Sequence, residues 1–75
     1  MFDKNIFSAR FKNLRKENKV TQQTIADLLS VTKTQISDIE NGKTTTSIER
    51  LCIIADYFDV SLDYLVGRSD DPTMR

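Results

Sequence analysis

The chain has no histidine and a single cysteine, and each shortage excludes a class of protein. Without histidine, a glycine-rich phosphate loop or a metal-ligand spacing, the sequence offers no recognisable catalytic or metal site. We therefore expect no enzyme, no metal and no other cofactor. One cysteine cannot form an intramolecular disulfide, which suits a reducing cytoplasm. Because Cys52 lies in an apolar stretch, we expect a buried packing residue and not a reactive thiol.

Long hydrophobic runs are absent as well. No apolar stretch approaches the roughly 20 residues that a membrane-spanning helix needs. Residues 1–7 have neither the apolar core nor the cleavage pattern of a signal peptide. The sequence also has no strand-like alternation and no low-complexity tract. We expect a cytoplasmic protein with an all-α fold and no membrane partner.

The chain has no net charge, with 11 basic and 11 acidic residues among its 75. The two signs are unevenly distributed, since residues 1–43 contain 8 basic and 5 acidic residues, whereas residues 44–75 contain 3 and 6. A basic N-terminal part can still direct one face toward phosphates. The alternative is that these charges are only solvated helix faces. The hydrophobic content of 39% fits one small folded domain.

Apolar spacing predicts a first helix from about residue 6 to about residue 19. Phe7, Phe11 and Leu14 follow the i, i+4, i+7 pattern of one buried stripe. A second helix begins after Thr21, which is a good N-cap residue. Its predicted apolar stripe is Ile25, Leu28 and Leu29, with the small Ala26 beside it.

A third, shorter helix is predicted at residues 33–40. Thr32 and Gln35 fit a capping box, and Val31 can pack on Ile36 as a hydrophobic staple. Gly42 suits the end of this helix. The predicted core-facing residues are Ile36 and Ile39.

The last two helices are predicted from the same signals. Thr46 and Glu49 fit a capping box for a fourth helix. Its predicted buried face is Ile48, Leu51, Cys52, Ala55 and Phe58. A staple and cap at Val60 and Ser61 predict a short fifth helix that Gly67 closes. We therefore expect one domain over residues 1–67. Residues 68–75 show no period and are predicted to be a flexible tail or the start of a linker.

Two short helices separated by a few residues, as at residues 21–42, are typical of a helix-turn-helix. Residues 8–67 resemble the Cro/repressor-type helix-turn-helix family, also known as lambda-repressor-like or Xre domains. The matching segments are residues 11–18 (FKNLRKEN), 21–29 (TQQTIADLL), 31–43 (VTKTQISDIENGK) and 51–67 (LCIIADYFDVSLDYLVG). The resemblance implies a compact five-helix domain that binds double-stranded DNA as a transcriptional regulator, here taken to be a repressor. The family usually has glycine where this chain has Ser30. If that position needs a positive φ, serine costs ~1 kcal/mol relative to glycine.

The resemblance implies that the third helix lies in the major groove of DNA. Its side chains not used by the core are Lys33, Thr34, Ser37 and Asp38. Lysine can donate to guanine, threonine can contact several bases, and aspartate can accept from a cytosine amino group. Because Asp38 would repel phosphates, we expect it to lie over the groove floor or to pair with Lys33. The alternative is that all four are simply the solvated face of a helix.

Phosphate contacts are expected from residues that flank the third helix. Gln22 opens the second helix, where free amide groups favour an anion. Positions after the third helix match family positions that contact the DNA backbone. The predicted phosphate-binding residues are Gln22, Thr32, Gln35, Asn41, Lys43 and Thr44, with Thr45 and Thr46 as further possible donors. The family pattern also implies that Arg15 and Glu40 form a structural ion pair between the first and third helices. The alternative for Arg15 is a phosphate contact.

Family members generally bind pseudo-palindromic operators as homodimers. The expected dimer interface lies around the fifth helix, at Ser61, Leu62, Tyr64 and Val66. No small-molecule ligand is expected. The rival interpretation is a protein-interaction module of the same fold, such as an antitoxin or a partner-binding regulator, and the zero net charge favours it.

Overall fold

Five helices follow one another with short connections in the computed structural model, which describes residues 3–73. They are α1 (Lys4–Glu17), α2 (Gln22–Leu29), α3 (Lys33–Glu40), α4 (Ile48–Phe58) and α5 (Leu62–Leu65). No strand occurs within residues 3–73, so the predicted all-α class is confirmed. In this part of the chain no helix combines the length and the apolarity required to cross a bilayer.

Each helix begins at a polar side chain that accepts hydrogen bonds from its free amide groups. The predicted caps at Thr21, Thr32 and Ser61 are confirmed. Two starts differ from the prediction. α1 begins at Lys4 because the carboxylate of Asp3 accepts from two amides of the first turn, at 2.9 and 3.1 Å. α4 begins one residue late, because Ser47 caps it in place of Thr46.

Residues with a left-handed backbone conformation follow the ends of α2 and α4. Ser30, at the end of α2, has a φ of 57°, and Asp59, at the end of α4, also has a φ of 57°. Ser30 therefore adopts the positive φ for which the family pattern would supply glycine. The conformation is kept because the amides that follow close the helix, with Val31 N–H donating to Ala26 O at 2.9 Å. Ser30 thus adopts a backbone conformation that is unfavourable for serine, in the turn between α2 and α3.

One hydrophobic core joins all five helices. α1 packs against both α3 and α5. The core side chains are Phe7, Phe11, Leu14, Ile25, Ala26, Leu29, Ile36, Ile39, Leu51, Ile54, Ala55, Phe58, Val60, Leu65 and Val66. The hydroxyl of Ser8 adds a buried link, donating to Ile39 O at 2.6 Å. This bond ties α1 to the last turn of α3, and so fixes the axis of α3 relative to the core.

Three core predictions, one on α2 and two on α4, are wrong. Leu28 is 38% exposed, because α2 turns Ile25 and Leu29 inward and leaves Leu28 at the edge. On α4, Ile48 is 62% exposed and Cys52 is also exposed, whereas Ile54 is fully buried. The buried stripe of α4 is rotated toward Ile54 because the helix packs on α5. Cys52 is therefore an exposed thiol and not a core residue.

Candidate nucleic-acid interface

The helix α3 divides its side chains between the core and the surface. Ile36 and Ile39 are buried, and both lie in the hydrophobic core. The four predicted base-reading residues fall at i, i+1, i+4 and i+5, a spacing that puts them on one face of a helix. They are Lys33 and Thr34, which are exposed, and Ser37 and Asp38, which are half-buried. The sequence prediction thus corresponds to one continuous surface.

Lys33 and Asp38 do not pair with each other. Within residues 3–73 the ion pairs are Arg10–Asp70 and Arg15–Glu40. Of the two alternatives stated for Asp38, the pair with Lys33 is therefore absent from this surface. The result is one cationic donor near the start of the face and one anionic acceptor near its end. The two groups can address different bases, because guanine presents acceptors and cytosine presents a donor in the major groove.

The start of α3 is fixed by the predicted capping box. Thr32 N–H donates to Gln35 Oε1 at 2.9 Å, and Gln35 N–H donates to Thr32 Oγ1 at 3.1 Å. These bonds satisfy two polar groups that a helix end would otherwise leave open. Both side chains remain exposed. The Thr32 hydroxyl hydrogen and the Gln35 amide hydrogens can still face a phosphate.

The half-buried Arg15 and the buried Glu40 form a bidentate pair that connects α1 to the end of α3. Arg15 Nη2 donates to Glu40 Oε1 at 3.0 Å, and Arg15 Nε donates to Glu40 Oε2. The side chains are only 14% and 3% exposed. Arg15 Nη1 also donates to Val20 O at 3.1 Å. The hydrogen bond to Glu40 raises the pKa of Arg15 above its ordinary value, although burial acts in the opposite direction.

Gln22 joins this pair and is not free in the way that the sequence suggests. Its Nε2 atom donates to Glu40 Oε1 at 3.1 Å, and the residue is half-buried. Glu40 consequently accepts bonds from α1 and from the first residue of α2. One amide hydrogen and the carbonyl oxygen of Gln22 remain for a ligand. Gln22 was predicted to bind phosphate because it lies at a helix start. Its hydrogen bond to Glu40 could not be predicted, because a partner 18 residues away leaves no local pattern in the sequence.

A shallow basic groove of about 700 Å³ lies between the end of α1 and the starts of α2 and α3. Its lining residues are Arg15, Lys16, Lys19, Val20, Thr21, Gln22, Gln23 and Lys33. Lys16 and Lys19 were not among the predicted phosphate-binding residues. A signal for them existed in the sequence, because both precede the cap of a helix start, where an anion is favoured. The groove runs directly into the predicted base-reading face at Lys33.

The loop after α3 supplies the opposite flank. Asn41, Lys43 and Thr44 are exposed there, as the phosphate prediction requires. The Asn41 amide lies 3.4 Å from the Ser37 hydroxyl, and Lys43 N–H closes the helix by donating to Asp38 O at 2.9 Å. A smaller cleft of about 250 Å³ continues behind this loop. It is lined by Leu29, Val31, Gln35, Ile39, Thr44, Thr45, Thr46, Ser47 and Arg50.

The predicted dimer residues differ in how accessible they are. Val66 is only 6% exposed and belongs to the core, so its prediction as a surface residue is wrong. The reason is that α5 is a single turn and needs both Leu65 and Val66 to pack on the core. Leu62 and Tyr64 are half-buried, and Ser61 is half-buried at the start of α5.

In the part of the chain that is described, no group of acidic or cysteine side chains is arranged to hold a metal ion.

Comparison with known proteins agrees with this geometry. A family profile described as "Helix-turn-helix" matches residues 11–65. The chain is 31% identical over 67 residues to the uncharacterized HTH-type transcriptional regulator YobD of Bacillus subtilis, covering 89% of this chain and 60% of that protein. It is 39% identical over 67 residues to the uncharacterized HTH-type transcriptional regulator YqaE of the same organism, covering 88% and 58%. The chain thus spans less than two thirds of the length of these relatives.

A solved structure extends the comparison to three dimensions. The P22 c2 repressor, crystallised in complex with a synthetic operator, superposes with a TM-score of 0.77 at 25% identity. The match covers 85% of this chain and 97% of the repressor chain. The five helices described here are therefore arranged as in a lambda-type repressor domain.

Proposed function

Because the chain belongs to the helix-turn-helix family, we propose that it binds double-stranded DNA sequence-specifically and regulates transcription as a repressor. The observation that carries this proposal is the exposed face of α3, formed by Lys33, Thr34, Ser37 and Asp38, with a basic groove beside it. An α-helix with its side chains is about 10–12 Å in diameter, and the major groove of DNA is about 12 Å wide. The face therefore fits the groove without distortion of the helix.

The four side chains of that face have separate roles in the proposed complex. Lys33 donates to guanine O6 and N7, and Asp38 accepts from a cytosine amino group over the groove floor. Thr34, near the start of α3, contacts a base edge or a thymine methyl group. Ser37 lies between Thr34 and Asp38 on the same face. The Arg15–Glu40 pair contacts no base. It holds the axis of α3 at the angle that the groove requires.

Phosphate contacts flank the reading face on both sides. On one side are the α2 start at Gln22 and the lysines of the groove, Lys16 and Lys19. On the other side are the residues after α3, namely Asn41, Lys43 and Thr44. These contacts set the register of the domain on the duplex and carry little sequence information. Thr32 and Gln35, which form the capping box, contribute their remaining donors.

One domain of this size covers little DNA, so a second copy is expected on the operator. We propose that two copies bind a pseudo-palindromic site and meet at Ser61, Leu62 and Tyr64. We propose that the protein acts in the cytoplasm, because its relatives YobD and YqaE are bacterial regulators and bacterial DNA lies in the cytoplasm. We propose no catalytic activity, no cofactor and no small-molecule effector.

Selection of bound sites from random duplexes tests the base-reading face. The unmodified protein should select one sequence, and Thr34→Ala and Lys33→Gln should each relax the preference at one position. Lys43→Gln is the matched control, because loss of a phosphate contact lowers affinity for all sequences and reduces the salt slope by about one. An unchanged selected sequence in both base-reading variants would refute the roles given to Lys33 and Thr34. Failure to bind any duplex at low salt would favour the protein-interaction module.

A further inference from the structure

The segment after α5 returns to the domain. Ser61 N–H donates to Pro72 O at 2.9 Å, and Ser61 Oγ donates to Asp71 O at 3.3 Å. Residues 68–73, which we call the strap, are thereby held against the start of α5. Residues 69–72 thus make hydrogen bonds to α1 and to the start of α5. The flexibility predicted for residues 68–75 stays a prediction, and residues 74–75 lie outside the described part of the chain.

Arg10, on α1, forms the second attachment of the strap. Its Nη1 atom donates to Ser69 O at 2.6 Å and to Tyr64 O, while Nη2 donates to the Asp70 carboxylate at 2.7 Å. The guanidinium also lies over the Tyr64 ring, 4.2 Å from its centre. A guanidinium with this many acceptors is held in one orientation, because its donors are arranged in a rigid plane. Arg10 thus links α1, α5 and the strap.

The strap covers part of the surface proposed for the second copy. A cleft of about 460 Å³ lies between α4, α5 and the strap, and Ser61 and Leu62 form part of its wall. Ser69, Asp71 and Thr73 of the strap form the wall opposite. The backbone amide of Ser61 is already bonded to Pro72. A second copy can therefore reach Ser61 and Leu62 fully only when the strap has moved.

The strap is held by polar contacts and buries no large apolar side chain. Asp70 is fully exposed in its ion pair with Arg10, and Asp71, Pro72 and Thr73 are exposed as well. Exposed ion pairs contribute little to stability and are screened by salt. Segments with few buried contacts open locally without unfolding the core. The strap can therefore detach while all five helices stay folded.

We propose that the strap is a detachable cover of the dimer surface that limits self-association in the absence of DNA. This proposal rests on the proposed function for the location of the dimer surface. With the strap docked through Arg10 and Ser61, the chain is monomeric. With the strap released, Ser61, Leu62 and the adjoining cleft are open to a second copy.

A shortened chain that ends at Arg68 tests the proposal, because every helix and every core residue precedes the cut. Sedimentation velocity over a concentration series, without DNA, gives the dimer dissociation constant. The shortened chain should dimerise at least tenfold more tightly than the full chain. Glu17→Gln is the matched control, since it removes an exposed acidic charge at the end of α1, outside the strap and the cleft, and should change the constant less than twofold. Equal or weaker dimerisation of the shortened chain would overturn the proposal.

A second variant keeps the full chain, should the shortened one lose helicity by circular dichroism. Arg10→Lys retains the charge but cannot donate in a planar fork to the Ser69 carbonyl and the Asp70 carboxylate together. It should shift the dimer constant in the same direction by a smaller factor, and no shift would contradict the strap. Because these measurements contain no DNA, they are independent of the site selection. Tighter dimers with no duplex binding would refute the proposed function alone.

Discussion

The carboxylate of Glu40 is almost fully buried, and its partners come from two other helices. Arg15 donates to it from α1, and Gln22 donates to it from the start of α2. Burial of a charge is unfavourable unless partners replace the lost water. Here the partners do so, because each Glu40 oxygen accepts at least one hydrogen bond. The ionic group fixes the angle between the reading helix and its supports.

Arg15→Ala should lower the free energy of unfolding by about 3 kcal/mol, because it leaves Glu40 buried without its cation. In a domain of this length, that loss corresponds to a melting temperature at least ~12 °C lower. DNA affinity should fall as well, since α3 is no longer held. Thermal melting and duplex titration check both effects. Unchanged melting with lost DNA binding would show that Arg15 contacts phosphate instead.

The double variant Arg15→Met/Glu40→Leu is the control for that prediction. Replacing both members of a buried pair by apolar side chains of similar volume is often neutral for stability. The variant should therefore melt close to the unmodified protein. Its DNA affinity should still be reduced, because Gln22 loses its acceptor at Glu40 and α2 is no longer tied to α3.

At the scale of helices, three of the five starts were predicted correctly, and the buried faces were predicted only in part. Caps at Thr21, Thr32 and Ser61 could be identified from sequence because an N-cap needs only residues within one turn. The buried face of α4 could not, because it depends on which neighbour the helix meets. Local spacing allowed a stripe through Cys52, and packing selected one through Ile54.

The basic groove between α1, α2 and α3 supports a prediction of its own. Lys16→Gln/Lys19→Gln should lower affinity for every duplex and reduce the salt slope by about 1.8, since each phosphate contact contributes roughly 0.9. The selected sequence should not change, because neither lysine lies on the reading face. Binding measured from low to moderate salt tests this.

Lys4→Gln, which removes one lysine from outside the groove, is the control. Lys4 opens α1, about 18 Å along the helix from Lys16, and takes no part in the groove. Its removal should leave the salt slope equal, within experimental error, to that of the unmodified protein. A similar loss of slope in both variants would mean that the overall charge of the chain, and not the groove, governs DNA binding.

At the scale of the whole molecule, the sequence predicted which side chains of α3 share the surface face but not what surrounds that face. Lys33, Thr34, Ser37 and Asp38 share a face because of helical spacing alone. The bond between Gln22 and Glu40 and the docking of the strap on Arg10 join residues 18 and 59–60 positions apart. Neither has a local signature, because such contacts form only when the helices have packed.

The overall dimensions lead to a last prediction, about operator spacing. The domain measures 29 × 22 × 21 Å, slightly less than the roughly 34 Å between half-sites one helical turn apart. Two copies that bind neighbouring half-sites in the proposed way would therefore lie close enough to meet at Ser61, Leu62 and Tyr64. Inserting about five base pairs turns the second half-site to the opposite face. Gel-shift titrations should then show two independent, weak binding events in place of one cooperative transition. Inserting a full turn restores the face but separates the copies, so cooperativity should stay lost. Cooperative binding that survives both insertions would contradict contact through Ser61, Leu62 and Tyr64.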